Sequence, residues 1–234
     1  MRHYFYTLLV VMGFCSAQAQ SGLWSEVHDF QQREARYITP DKYLLYTFDF
    51  NTFAGSVRES QKSRNVLELT VPLPDGDFDT YMLTETSVFE DELSRKYPGF
   101  TAYTGYSSSS PGSVLKLSVS PFGINGMILA ADASKNVFID PLTPTNNNQI
   151  YQVYYKSDYH RQDVPFSCGV DEFHVSNHPE YRDINNSNEV ANRSFGDCQL
   201  RSYRLALACT GEYASFHGRT IERVLAAFNT TITG

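Results

Sequence analysis
Apolar and polar positions alternate along the middle of the chain. From 67 to 73, Leu67, Leu69, Val71 and Leu73 interleave with Glu68, Thr70 and Pro72, a period of two that predicts a strand with one buried face. Pro72 cannot donate to an inner ladder, so it marks an edge or a strand end. Pro74-Asp75-Gly76 supplies turn chemistry, with Gly76 free to take a positive φ, and 78–83 returns as the second arm of a hairpin. The aromatic run 43–50 and the stretches 114–119, 126–130, 137–139 and 150–155 predict further strands, at intervals of about 8–12 residues. Pro121, Gly123, Asp132, Pro141 and Pro144 separate them. Residues 43–155 therefore read as a mainly β domain, an antiparallel sandwich or open barrel with one short helix near 90–96.

The pattern then breaks. Between 176 and 197 the chain is rich in Asn and Ser and almost empty of periodic apolar residues, the composition of a linker, with Arg182 and Arg193 as exposed points for a protease. Past it, Tyr203, Leu205, Leu207 and Cys209 share one parity with small Ala206 and Ala208 between them, which predicts a strand buried on both faces. A helical period follows at Ile221, Val224, Leu225, Phe228 and Ile232, with Thr220 placed as N-cap. The stretch 198–234 is shorter than the roughly 40 residues that fold alone without disulfides, metal or a partner. The chain thus reads as the front part of something larger.

The amino end changes the compartment. Arg2, an apolar stretch from 4 to 14 and the small-residue sequence Ala17-Gln18-Ala19 read as a secretory signal peptide over 1–19, cleaved after Ala19. The apolar run is about half the roughly twenty residues a spanning helix needs, so no membrane anchor is expected. Net charge is −7, the wrong sign for nucleic acid or an anionic membrane surface. Hydrophobic residues at 41% suffice for a core, and 16 Phe with 16 Tyr against one Trp favour β structure. Of the four cysteines, Cys15 leaves with the signal peptide, so the exported chain keeps Cys168, Cys198 and Cys209. An odd number in an oxidising compartment leaves a free thiol or implies a partner elsewhere.

One stretch carries a family resemblance. Leu200-Arg201-Ser202-Tyr203-Arg204-Leu205-Ala206-Leu207-Ala208, then Thr210-Gly211-Glu212-Tyr213-Ala214 and Phe216, resembles the opening of the catalytic domain in bacterial reprolysin-like zinc metallopeptidases, a branch of the metzincins. Upstream, Pro72-Leu73-Pro74-Asp75-Gly76, the 85–93 stretch, Tyr97-Pro98-Gly99, Tyr103 and Gly105, and Val137-Phe138-Ile139-Asp140-Pro141 resemble the propeptide of that family. The resemblance spans about residues 23–234. It implies a secreted zymogen: signal peptide 1–19, β-rich propeptide 20–175, linker 176–197, and at 198–234 the first β-strand and α-helix of an incomplete α/β metzincin domain. The implied hydrolase performs zinc-dependent proteolysis, with its own catalytic domain as the propeptide's partner and proteins or peptides as substrates. The family holds zinc on HExxHxxGxxH followed by a Met-turn. None of the six histidines here has that spacing, so the zinc ligands are expected beyond residue 234 and this chain alone should be inactive. The alternative is a stand-alone secreted β-sandwich that binds or inhibits a protein.

Several residues carry candidate chemistry. Cys168, in Cys168-Gly169-Val170-Asp171, is similar to the cysteine of matrix metalloproteinase propeptides, without the preceding Arg or the intervening Pro. Its thiolate would occupy the fourth position of the catalytic zinc and hold the enzyme latent, while the competing reading pairs it with Cys198 in a disulfide. Cys209 reads as a small core residue, and Cys198 and Cys209 on one extended strand lie about 35 Å apart, too far to pair. His174 and His178 have the i, i+4 spacing of metal ligands, but Pro179 disfavours a helix there, so a solvated loop is the better reading. Asp75, Asp77 and Asp79 imitate a calcium loop without its Gly and bidentate Glu, and otherwise read as turn acids. The reprolysin-like resemblance implies a structural calcium site near Glu212, which otherwise reads as a helix-start or loop acid. Asn185, Asn192 and Asn229 each head a glycosylation sequon.

Overall fold
The structure is a computed structural model that describes residues 22–28, 30, 36, 38–63, 66–86, 88–143, 149–160 and 205–234. Cys168, Cys198, His174, His178, the segment 1–19 read as a signal peptide and the Asn/Ser-rich stretch lie outside those residues. The chain divides into two compact units, Met1–His160 with Cys209–Gly234, and Arg161–Ala208.

The alternation at 67–73 folds as read. Strand β3 (Leu67–Pro72) buries Leu69 and Val71 and pairs antiparallel with β4 (Phe78–Thr86), Leu69 opposite Tyr81. Gly76 takes φ 91° in the connecting turn. From β4 the chain meanders through β5 (Thr101–Ser107), β6 (Val114–Ser120), β7 (Gly123–Leu129), β8 (Val137–Pro141) and β9 (Ile150–Tyr155), each antiparallel to the one before. Two earlier strands complete the sheet beyond β9: β2 (Leu44–Phe48) pairs with it, and β1 (Trp24–Glu26) pairs with β2. All nine strands form one sheet, in the order β1-β2-β9-β8-β7-β6-β5-β4-β3.

That sheet curls until its two edges meet, so the fold is a single, nearly closed barrel rather than a two-sheet sandwich. Trp24 on β1 donates its indole Nε1–H to the Thr70 carbonyl on β3 at 2.9 Å, and the rings of Tyr46 on β2 and Phe78 on β4 meet edge to face at 5.9 Å. The indole bond gives one edge carbonyl of β3 a partner, and the bulk of Trp24 shields that edge from stray pairing. The interior is filled by Trp24, Tyr46, Phe48, Leu117, Tyr151 and their neighbours. At Gly105 a Cβ would stand 2.6 Å from Leu83 Cδ2 and 3.0 Å from Tyr81 Cβ, so only glycine fits that inward position.

The helices hold two departures from the sequence reading. Helix α1 (Phe50–Ser63) follows β2 directly. Asp49 caps it, accepting from the Thr52 N–H at 3.0 Å, and Phe50, Phe53 and Val57 at i, i+3 and i+7 turn onto the core. The aromatic run 43–50 therefore ends as a strand at Phe48 and starts a helix at Phe50. Helix α2 (Asp91–Lys96) forms where a short helix was expected. Residues 205–210 form no strand and are exposed, Leu205 at 68% and Leu207 at 45%. Alternation alone is not enough there: among the described residues no strand lies beside them to complete a ladder, and a lone strand is not stable in water. Cys209 is correspondingly exposed and free, not a core residue.

Two helices end the described chain, α3 (Gly211–Phe216) and α4 (Ile221–Thr233). Thr210 and Thr220 cap them, accepting from the Tyr213 and Arg223 N–H groups. Helix α4 packs on the outer face of β5 and β6.

Candidate functional site
Two consecutive outward positions of β6 are serines. Ser118 and Ser120 are both buried although they point away from the barrel core, because small side chains there let a helix come close to the strand. Helix α4 occupies that place. It buries Val224, Leu225 and Asn229. Leu225 joins Phe89 and Phe100, whose rings are 6.0 Å apart, in a second apolar cluster outside the barrel, with Leu93 and Tyr97 of the α2 region against it. Burying a leucine of this kind stabilises by roughly 1.5–3 kcal/mol.

The periodic face read from the sequence is only partly the face used. Val224 and Leu225 are buried and Phe228 stacks on Tyr213 at 5.8 Å, but Ile221 is 57% and Ile232 39% exposed. In their place the buried stripe includes a polar residue. Asn229 is 1% exposed, and its Nδ2 donates to the Thr101 carbonyl at 2.9 Å, Ser118 Oγ at 2.9 Å and the Val119 carbonyl at 3.1 Å. Two amide hydrogens are thus shared among three oxygens of β5 and β6. Thr230 adds a bond from Oγ1 to Ser118 Oγ at 3.1 Å, and the Arg223 guanidinium lies 4.5 Å from the centre of the Phe122 ring.

Beside α4 the outer face of β6 to β9 opens into a cavity of about 820 Å³, bounded across the gap by α3 and the inner side of α4. Its walls include Met127, Phe138, Tyr154, Tyr213 and His217. One carboxylate lies in the wall. Asp140 Oδ1 accepts from Asn125 Nδ2 at 3.0 Å and Oδ2 from the Tyr154 hydroxyl at 2.8 Å, while the Tyr154 ring stacks on Phe138. Burial pushes the Asp140 carboxyl above its ordinary range, against the opposing pull of its two donors, and burial likewise raises Tyr154. His217, between the rings of Tyr213 and Phe216, is held by burial below the usual imidazole value. The result is an apolar recess with one desolvated, hydrogen-bonded acid, suited to holding a ligand and short of a nucleophile paired with a base.

The other sequence candidates are dispersed. Asp75 and Asp77 sit exposed in the β3–β4 turn, where the Asp77 N–H donates to Asp75 Oδ1 at 3.2 Å. Asp79 is buried and turned elsewhere, accepting from Ser107 Oγ at 2.9 and 2.8 Å, from Ser109 Oγ and from the Thr80 N–H at 2.9 Å. Asp75 and Asp77 are turn acids, whereas Asp79 is a buried acid of strand β4 held by two serine hydroxyls. Glu212 lies in the first turn of α3, where a backbone hydrogen bond and Thr210 hold its carboxyl below the ordinary value. Among the described residues no three His, Cys, Asp or Glu side chains come together as a metal site, and no helix is long and apolar enough to cross a membrane. Of the sequons, Asn229 is consumed by the helix contact; the other two lie outside the described residues.

In the sequence Asn229 stands out only as the head of a glycosylation sequon and Asp140 only within the propeptide resemblance, neither as part of this site. The signal that could have found Asn229 is the pair of small outward residues Ser118 and Ser120, which marks β6 as a strand covered on both sides. No protein-family model, no curated protein and no solved structure matches the chain.

Proposed function
We propose that this chain is the N-terminal part of a secreted zinc metalloendopeptidase precursor, in which the barrel is the propeptide and 198–234 opens the catalytic domain. The observation that carries the reading is the division of labour within the last segment. One side of α4 is built into the outer wall of the barrel through Val224, Leu225 and Asn229, while Phe216 at 71%, Ile221 and Ile232 stay exposed. Apolar residues on both sides of a short segment are what a piece of a larger domain presents when a second domain already holds it. The residues of 200–216 that resemble the reprolysin-like peptidases fall in the same segment.

In this reading the barrel supplies a preformed surface on which α3 and α4 assemble, lowering the entropic cost of ordering them. Zinc, bound by residues beyond 234, would polarise the scissile carbonyl and activate water. What this chain contributes is restraint: Asn229 fixes the register of α4 on β5 and β6, Val224 and Leu225 exclude water from that contact, and the Cys168 thiolate would hold the metal's fourth position until the 176–197 linker is cut. A calcium ion near Glu212 would be a structural addition. Export follows from the signal peptide at 1–19.

The second reading, a stand-alone secreted β module that binds a protein partner, draws on the cavity and its Asp140–Tyr154 wall. Expression of the uninterrupted native gene separates the two. A secreted product that degrades casein, stops on chelation and recovers with zinc supports the precursor; a product that ends at residue 234 and binds a protein without cleaving it supports the module.

A further inference from the structure
We infer that the outer face of β5 and β6 is a receptor for helix 221–233 that works without a covalent link, so the barrel keeps the C-terminal segment after the chain between them is severed. This deepens the precursor reading and rests on it only for what α4 belongs to.

Among the described residues, the contacts that seat α4 on the barrel join residues 88–125 to residues 221–233. Leu225 meets Phe89 and Phe100, Arg223 covers Phe122, Thr230 bonds Ser118, and Asn229 bonds Thr101, Ser118 and Val119. A cut between 161 and 204 severs the tether and breaks none of these named contacts. The tether supplies only effective concentration, which at millimolar values for a short link assists closure without creating contacts.

The interface is also selective. Two backbone carbonyls and a serine hydroxyl, buried once the helix lands, need a donor at one position of the helix. A helix with an apolar residue there takes the amide donor away from both carbonyls and leaves Ser118 Oγ with Thr230 alone, and each lost partner in a buried site weighs against binding. Asn229 supplies two hydrogens from a short, stiff side chain at a depth that Gln would overshoot. After such a cut the barrel therefore keeps its hold on α4, and separating the two pieces requires a second event, either a cut inside the barrel or dissociation of α4.

The test uses residues 20–234, cleaved by limited proteolysis within 161–204 and passed over a size-exclusion column in non-denaturing buffer at micromolar concentration. Both pieces of the wild type are expected to co-elute at the size of the uncut chain. Asn229→Leu should weaken the complex by about ten- to a hundredfold, so that its pieces separate. Ser118→Val removes an acceptor from the receptor side with a residue that suits a strand, and should separate them as well. Glu222→Gln, on the exposed side of α4, should change nothing. Circular dichroism of each uncut variant confirms that the barrel is folded before cleavage. Separation of the wild-type pieces overturns the inference, as does co-elution of both Asn229→Leu and Ser118→Val pieces. Neither result touches the precursor reading, which stands or falls on zinc-dependent cleavage by the native gene product.

Discussion

The interior of the barrel and the patch where α4 lands are both buried, yet they are built on opposite principles. Inside, Trp24, Phe48, Phe53, Leu117 and Tyr151 fill space with large apolar side chains, and the Trp24 indole bond to Thr70 is one of few polar contacts at the seam. Outside, the residues that meet are small or polar: Ser118 accepts hydrogen bonds from both Asn229 and Thr230 of the helix. Burial by area gives stability without naming a partner, because apolar transfer is non-directional. Burial through oriented donors and acceptors gives less net stability and more discrimination, because a mismatch leaves groups unpaired. In the proposed precursor, a barrel that stays folded and later releases its partner would need both kinds.

The sharpest way to break the comparison is to truncate the interior. Phe53, 1% exposed, carries α1 onto Phe48 and Tyr103, and Phe53→Ala should cost about 3–5 kcal/mol of global stability, read as a lower midpoint in urea. If α1 merely lies on the surface, the midpoint will hardly move. Next comes Gly105→Ala, which forces a methyl against Leu83 and Tyr81. It should cost about 1–3 kcal/mol, again globally.

At the helix patch the expected effect is local. Asn229→Ala should destabilise the docking of α4 by about 1–3 kcal/mol while the urea midpoint of the barrel stays close to wild type. Amide hydrogen exchange reads the difference: protection at 224–233 should fall and protection in β6 and β7 should persist. A uniform loss in both regions would mean that α4 is part of the barrel core and not a guest on it.

The smallest effect concerns Asp140, whose sign is the informative part. Its folded pKa is raised, so the proton is bound more tightly in the folded state than in the unfolded one. The stability this group contributes is fully present below its unfolded pKa of about 4 and is lost as pH rises through the raised folded value. Asp140→Asn keeps a neutral side chain throughout. Relative to wild type, the variant should therefore gain stability as pH rises above about 4, measured by urea unfolding at several pH values; parallel curves would contradict a desolvated acid.

How much of this was legible beforehand follows the same division. The β3–β4 hairpin could be read because alternation, Pro72 and the Pro74-Asp75-Gly76 turn all agree, and α4 because Thr220 precedes a clear 3.6-residue period. Strand β5 escaped because Gly105 and the serines at 107–110 make it look like loop, when the glycine answers crowding inside the barrel. Helix α1 escaped because its apolar residues are few and its first, Phe50, extends an aromatic run. The strand expected at 203–209 shows the converse failure: a pattern with the right parity, at residues 205–209, and no neighbouring strand. Asn229 and Asp140 lay beyond any pattern, since what gives them meaning is a second surface that period and composition do not describe.

The account turns on whether the barrel restrains a zinc peptidase. The most direct measurement is peptidase activity of the secreted, uncut product of the native gene, wild type against Cys168→Ser, with and without chelator. The account predicts a silent wild type, a variant active before any cut, and activity abolished by chelation and restored by zinc. Absence of metal-dependent cleavage from the wild type after the linker is cut, and from the variant, would contradict it.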